Sequence, residues 1–491
     1  MPAITEELRA TFQRFVGLTQ EALRSDALPI RRGNLQLVRS SPASLSERVE
    51  SLEESGEFQA LYKSVEAHLN GIGFGSHGWK GAVGNWLRRS GLYHRVSVGE
   101  ALASIDELLG GFLAELSRRE STVTHLALLE HVSFKKQRLE FERYEIVRFT
   151  KEELERLLET QVRADFFPWA TLPTRELARY WWLVIREKAS TDAIGSPGKI
   201  SFSLKDLDIV PRYYTELPQA VESVVQELAL FKWRPLWATE EDPSWRPCRI
   251  PLCLRLNDHK PTPVSGPRAD ISMLDTQPEF DPYTNEEVGE EPLILFSFSA
   301  REAESFETFL RREGTLLHRA LKTAWSKPLA ETASSFFAKA FVADGVEQLL
   351  WHITTIEALL GEPGGGSTER LARRLAAALG TSDADRTAIR GTFEELYGFR
   401  SELVHGRTPK KDVLTRHLYE AREFARNLLR WYLRLLEHVQ KAADAAGVLG
   451  DMPDRRDILR LLDLGGDGLR KARWLLPSLP STFPQYPDLV D

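Results

Sequence analysis

The sequence predicts an α+β multidomain protein, with a helical and mixed α/β N-terminal region followed by an all-α C-terminal bundle. Three observations predict this. The chain has 491 residues, a length for which about two to four domains is the ordinary expectation. The apolar period is helical up to residue 120, gives way to short alternating or apolar runs over 121–300, and is helical alone from 301 onward. The composition, 42% hydrophobic and 27% charged, is that of a soluble globular chain with material for several cores.

Region 1–120 opens on TEELRATFQRFVGLTQEALRS, where Leu8, Phe12, Phe15, Val16 and Leu23 share one helical face. Ser44 with Glu47, and Ser97 with Glu100, have capping-box spacing; the second pair is expected to open a helix over ALASIDELLGGFLAEL. In region 121–300, THLALLEHVSF and LEFERYEIVRF are separated by KKQR and read as a hairpin. Further strands are expected at YWWLVIREK, GKISFSL, IPLCLRL and LILFSFS, with a helix at LPQAVESVVQELALF. The stretch from Lys260 to Pro292, acidic and rich in Pro and Gly, reads as a loop. Region 301–446 reads as amphipathic helices with short connections, a compact bundle. Ser367 caps one of them, which stops at Gly380; Asp383 opens the next, and a long helix follows from Asp412. The tail, 447–491, carries short helices and ends in PSLPSTFPQYP.

The net charge of −7 excludes a protein that coats nucleic acid non-specifically, so a nucleic-acid contact has to be a local patch. Cys248 and Cys253 have no second Cys/His pair and no zinc spacing, and read as small apolar side chains in or beside a strand. So few cysteines suit a reducing compartment. The first residues lack the apolar stretch of a signal peptide, and no apolar run reaches the ~18 residues of a membrane span. The expectation is a cytoplasmic protein with no membrane partner, metal or cofactor. GFGSHG, residues 73–78, fits G-x-G-x-x-G but follows a helical pattern rather than a strand, and reads as a turn. GEPGGGS lacks the Lys-Ser/Thr of a P-loop, and His352 reads as a core-edge histidine.

Chemistry concentrates in ELYGFRSELVHGRTPKK, residues 395–411. Arg400 offers bidentate, charge-assisted hydrogen bonds to phosphate. A histidine such as His405 can give or take a proton. Together they suffice to break an RNA phosphodiester without a metal, because the neighbouring 2′-OH is the nucleophile. Leu403 and Val404 are expected to anchor the turn in the core, and Gly406 to permit the backbone conformation that presents His405. The spacing alone is weak, since Arg89 and His94 share it.

The order IEALLGE, TERLARRLAAAL, LYGFRSELVHG resembles the HEPN ribonuclease superfamily, in particular its ApeA-like branch. The matching residues are Trp351, Glu357, Leu359 and Leu360, then Arg370 and Arg373, then Leu396, Tyr397, Arg400, Ser401, Val404, His405 and Gly406. The resemblance covers residues 301–446 and implies a HEPN-type helical bundle that forms a homodimer. It implies metal-independent cleavage of RNA, tRNA among the candidates, and a role in antiphage defence or abortive infection. Arg400 and His405 would be catalytic, with Ser401, Glu357 and Tyr397 supporting. Many HEPN nucleases place Asn, Asp or His after the arginine, where this chain has Ser401. Glu357 reads either as a partner of Arg400 or as a helix-surface acid, the second being preferred. Arg370, Arg373, Arg374, Arg407, Lys410 and Lys411 read either as an RNA-binding patch or as a solvated charge face. Residues 1–300 would sense a phage-derived or small-molecule trigger. The alternative is a non-catalytic HEPN module that binds RNA or a nucleotide as a scaffold or sensor.

Overall fold

The computed structural model describes residues 4–24, 43–70, 79–97, 99–100, 102, 104–116, 118, 120–157, 174–190, 217–233, 250–258, 274–322, 326–343, 345–362, 367–406, 415–446 and 455–464. Cys248, GFGSHG and the strand expected at GKISFSL lie outside them. The N-terminal helices are α1 Glu6–Arg24, α2 Ala43–Glu54, α3 Gly56–Asn70, α4 Trp79–Arg89, α5 Leu92–Ser97 and α6 Ile105–Leu116. Next come β1 Glu120–Leu129, β2 His131–Phe134, β3 Arg138–Glu140, β4 Tyr144–Val147, α7 Thr174–Leu177, β5 Trp181–Ser190 and α8 Gln219–Ala229. Then follow β6 Cys253–Asn257, β7 Thr276–Phe280, β8 Glu287–Pro292 and β9 Ile294–Phe298. The last helices are α9 Ala300–Lys322, α10 Lys327–Val342, α11 Gly345–Leu360, α12 Thr368–Leu379, α13 Asp383–Val404, α14 Thr415–Ala446 and α15 Arg455–Asp463. The protein is thus mixed α+β with an all-helical C-terminal region, and no helix among the described residues is long and apolar enough to cross a membrane.

The chain divides into two compact units, and the division interleaves. Unit 1 takes residues 1–130, 137–214 and 250–293; unit 2 takes 131–136, 215–249 and 294–491. The cuts therefore differ from the contiguous 1–120, 121–300, 301–446 and 447–491 of the sequence reading. A strand at 131–134 and a helix at 219–229 from within the expected mixed domain belong to the C-terminal unit.

In unit 1 the face predicted for α1 is buried: Leu8, Phe12, Phe15, Val16 and Leu23 join Phe58, Leu61, Trp86, Leu87 and Phe112 in one core. The capping box of α6 is Ser104 with Glu107, not Ser97 with Glu100. The Ser104 backbone N–H donates to Glu107 at 2.8 Å and the Glu107 N–H to Ser104 Oγ at 3.2 Å. Those bonds, the backbone one first, hold the Glu107 carboxyl below the usual carboxylate range. Ser97 ends α5 instead. The sheet has the order β3-β4-β5-β1-β6 and is antiparallel throughout. The expected hairpin is replaced by a smaller one, β3 with β4, while β1 pairs with β5 and β6. Leu126, Leu128, Trp182, Val184, Leu254 and Leu256 form its core, and the buried Cys253 sits in β6.

In unit 2, β2 and β9 pair in parallel and carry Phe134, Phe296 and Phe298 into an aromatic cluster with Phe231, Trp233, Phe306 and Phe341. Helix α10 has no counterpart in the sequence reading. The other helices start and stop close to their signals; Ser367 Oγ accepts the Arg370 N–H at 3.2 Å, and Ser382 Oγ the Asp385 N–H at 3.1 Å. Helix α15 is held to α12 by Arg374, whose Nε and Nη2 donate to Asp463 at 2.9 and 2.6 Å and whose Nη1 donates to the Leu360 carbonyl at 2.7 Å. Burial would raise the Asp463 carboxyl, but the bonds and charges of Arg374 and Arg373 outweigh it and hold it low.

Replacing Arg374 by Ala is expected to cost about 2–3 kcal/mol in urea unfolding, because the Leu360 carbonyl loses its donor and Asp463 keeps only Arg373. The Asp463 carboxyl is depressed in the folded state, so its contribution is present above its unfolded pKa of about 4 and is lost as pH falls through the folded value. The gap between the wild type and the Arg374→Ala protein should therefore narrow under acid conditions without closing, because the bond to the Leu360 carbonyl does not depend on pH.

Candidate functional site: the end of α13

Helix α13 delivers the motif. Its Leu396 and Phe399 pack with Leu349 and Ile353 of α11 and Ala421 of α14. Fixing that face turns Tyr397 and Arg400, three residues apart, toward Glu357 on α11. Glu357 Oε1 accepts from the Tyr397 hydroxyl at 2.8 Å, and Oε2 from Arg400 Nη2 at 3.1 Å. The Arg400 guanidinium carbon stands 5.6 Å from the centre of the Tyr397 ring. Burial first, then the bond to Glu357, raises the Tyr397 phenol, which keeps it a donor. Glu357 is therefore not a free surface acid, as the sequence reading preferred, but the carboxylate that joins two helices.

The Arg400 side chain keeps 26% of its surface exposed. A guanidinium has five N–H donors, and the bond to Glu357 uses one. The helix ends at His405, whose N–H reaches the Ser401 carbonyl at 3.2 Å, and at Gly406, whose N–H reaches Leu403 at 3.0 Å. Gly406 has φ +67°, the left-handed conformation that ends many helices. His405 is exposed and Ser401 half-buried. Leu403 packs on the core, but Val404 does not anchor the turn: 54% of it is exposed. A five-residue helical step turns by about 140° and rises about 7.5 Å. Arg400 and His405 thus leave one chain on different sides.

The arginines of α12 are committed elsewhere. Arg370 pairs with Glu362 at 2.7 Å and Arg373 with Asp463 at 3.1 Å, and both stay partly exposed. Arg374, 1% exposed, is internal and has no face to offer a nucleic acid. Arg407, Lys410 and Lys411 lie outside the described residues. His352 is not at the core edge but fully buried, and its burial, with a smaller effect from Arg422, pushes it well below the usual imidazole value. Comparison with protein-family models, with curated proteins and with solved structures found no match in any of the three.

Glu357→Gln removes the charge from the bridge between α11 and α13 and should lower stability by about 1 kcal/mol in urea unfolding. Gly406→Ala meets no neighbour within 4 Å, yet should cost about 1 kcal/mol for the left-handed backbone alone. An unchanged midpoint for Gly406→Ala would show that the helix end tolerates a side chain.

Proposed function

We propose that the C-terminal region acts as a metal-independent RNA endonuclease of the ApeA-like HEPN type. The observation that carries this reading is the end of α13, where a partly exposed guanidinium with spare donors is braced by Glu357 and Tyr397 and an exposed histidine closes the helix. In the proposed reaction Arg400 holds the scissile phosphate and stabilises the charge on its oxygens. One His405 takes the proton of the 2′-OH, whose oxygen bonds to phosphorus. A second His405 gives a proton to the departing 5′-oxygen. The products are a 2′,3′-cyclic phosphate and a 5′-OH end.

Two histidines require two chains. The divergence of Arg400 and His405 on one helix, and the exposed Val404 beside them, support a homodimer whose two motifs face each other across a two-fold axis. Residues 1–300 would restrain this activity until a phage-derived or small-molecule trigger arrives, in the setting of antiphage defence, with tRNA one candidate substrate. The alternative, a non-catalytic module that binds RNA or a nucleotide, is favoured by one observation: Glu357 offsets the charge of Arg400.

Total RNA incubated with the full chain in EDTA should be cut to cyclic-phosphate ends. Arg400→Ala and His405→Ala should each reduce the rate by about 100-fold or more, with the urea midpoint of His405→Ala unchanged. RNA binding without cutting would select the non-catalytic module, and undiminished cutting by both variants would end the nuclease reading.

A further inference from the structure

Between Asp275 and Pro292 the chain holds seven Asp and Glu residues and no Lys, Arg or His. These residues form the β7–β8 hairpin of unit 1, where a loop is expected from the sequence. Its construction is firm. Asp281 Oδ1 accepts the N–H groups of Tyr283 at 2.8 Å and Thr284 at 2.9 Å, and the Asp281 N–H closes the turn onto the Glu286 carbonyl at 2.9 Å. Asn285 takes the left-handed conformation, φ +57°, that the turn demands. Across the strands, Thr276 bonds Glu290 at 3.0 Å and Gln277 bonds Glu291 at 2.9 Å. Arg179 ties the base down, reaching Glu279 at 2.9 Å and the Glu290 carbonyl.

On this frame stand Phe280, 53% exposed, Tyr283, 95%, and Val288, 61%. They are three of the six large hydrophobic side chains exposed among the described residues. Val288 is the extra residue of a bulge: Glu279 pairs with Gly289 and Phe280 with Glu287, and a bulge re-aims the side chain it carries. Folding gains nothing from an aromatic ring in water at the tip of a tightly bonded turn. An exposed tyrosine carried on a backbone that the turn already holds is what an interface uses, because the backbone loses little entropy on docking.

The carboxylates decide the occupant. Glu286 and Glu287 are exposed beside the tip and Glu290 is exposed further down the same strand, a field that repels RNA and anionic lipid and attracts cationic protein. A second copy is a poor complement, since the chain carries a net charge of −7. We infer that the β7–β8 hairpin is a docking finger for a basic protein partner, which receives Tyr283, Phe280 and Val288 in an apolar recess and pairs Lys or Arg with Glu286, Glu287 and Glu290.

The test uses the full chain and two fluorescein-labelled peptides of equal charge, nona-arginine and an alternating Arg-Leu peptide with the same number of arginines, followed by polarisation. The Arg-Leu peptide should bind about ten-fold more tightly, and both should weaken as NaCl rises from about 50 to about 300 mM. Tyr283→Ser with Phe280→Ser should erase the preference for the Arg-Leu peptide. Glu286→Gln, Glu287→Gln and Glu290→Gln together should weaken both peptides by about ten-fold or more. Melting curves confirm that the variants are folded, and the single change Tyr283→Ser, at a solvent-facing tip, serves should the double variant fail. Equal binding of both peptides by the wild type, or binding indifferent to the hairpin variants, overturns the inference. So does a concentration-dependent dimer that Tyr283→Ser dissolves, which would seat a second copy on the finger.

Discussion

The helices of the C-terminal unit are registered by guanidinium–carboxylate contacts between them. Helix α14 makes the constraint plain. It places Arg422, Arg426, Arg430 and Arg434 at intervals of four, one stripe of a helix, and the first three are buried. A buried charge costs several kcal/mol unless it is met. Arg426 is met by Glu423 on its own helix, and Lys232 approaches the same carboxylate at 4.0 Å. Glu313 of α9, itself 1% exposed, stands 2.8 Å from Arg434 and 3.7 Å from Arg430. The Arg430 guanidinium also lies 4.9 Å from the centre of the Phe309 ring. Burial still pushes Arg422 and Arg430 down to about 10, so the carboxylates offset the desolvation only in part. Removing Glu313 from its reach would leave the buried Arg430 guanidinium without that carboxylate, so the contact constrains how α9 meets α14.

Arg400 uses the same device with a different balance. Arg374 is enclosed and its donors go to Asp463 and a backbone carbonyl, so it serves the fold. Arg400 has one bond to Glu357 and a quarter of its side chain in solvent, so the contact aims the group without enclosing it. Arg374 stands in the basic stretch TERLARRL and Arg400 in the acidic stretch EELYGFRSEL, and neither pattern reveals the role; the depth at which each helix packs separates an internal strut from a group that can meet a ligand.

Much of this was legible in the sequence, and the exceptions have physical causes. The buried face of α1, the limits of α12 and the start of α13 follow from helical periodicity and from Ser367, Gly380 and Asp383, signals that act within a few residues, with Ser382 as the cap just before Asp383. Helix α10 escapes because its small and apolar residues, Ala330, Ala333, Phe337, Ala338, Ala340 and Phe341, are buried on several sides, so its periodicity is weak. The β7–β8 hairpin escapes for the opposite reason. Neither of its strands buries a face, so no alternation marks it, and its Asp, Glu, Pro and Gly read as a loop. The pairing of β1 with β6 and of β2 with β9, and the interleaved units, depend on segments more than a hundred residues apart, and no local pattern encodes them. The role of Glu357 is of that kind too. Its spacing on α11 is that of any half-exposed acid, and the two groups it binds lie 40 and 43 residues further along the chain.

Glu357 also gives the candidate site a property that motif spacing does not. A lone exposed arginine samples many rotamers and must be ordered when it meets a phosphate. Arg400 is already ordered by the carboxylate on one side and the Tyr397 ring on another. That lowers the entropic cost of engaging an anion, while the opposing charge weakens the attraction that draws the anion in. The two effects act on different quantities, orientation and encounter. A site built this way favours selectivity over affinity, which suits a protein whose overall charge is negative and whose neighbouring α12 arginines are paired with carboxylates.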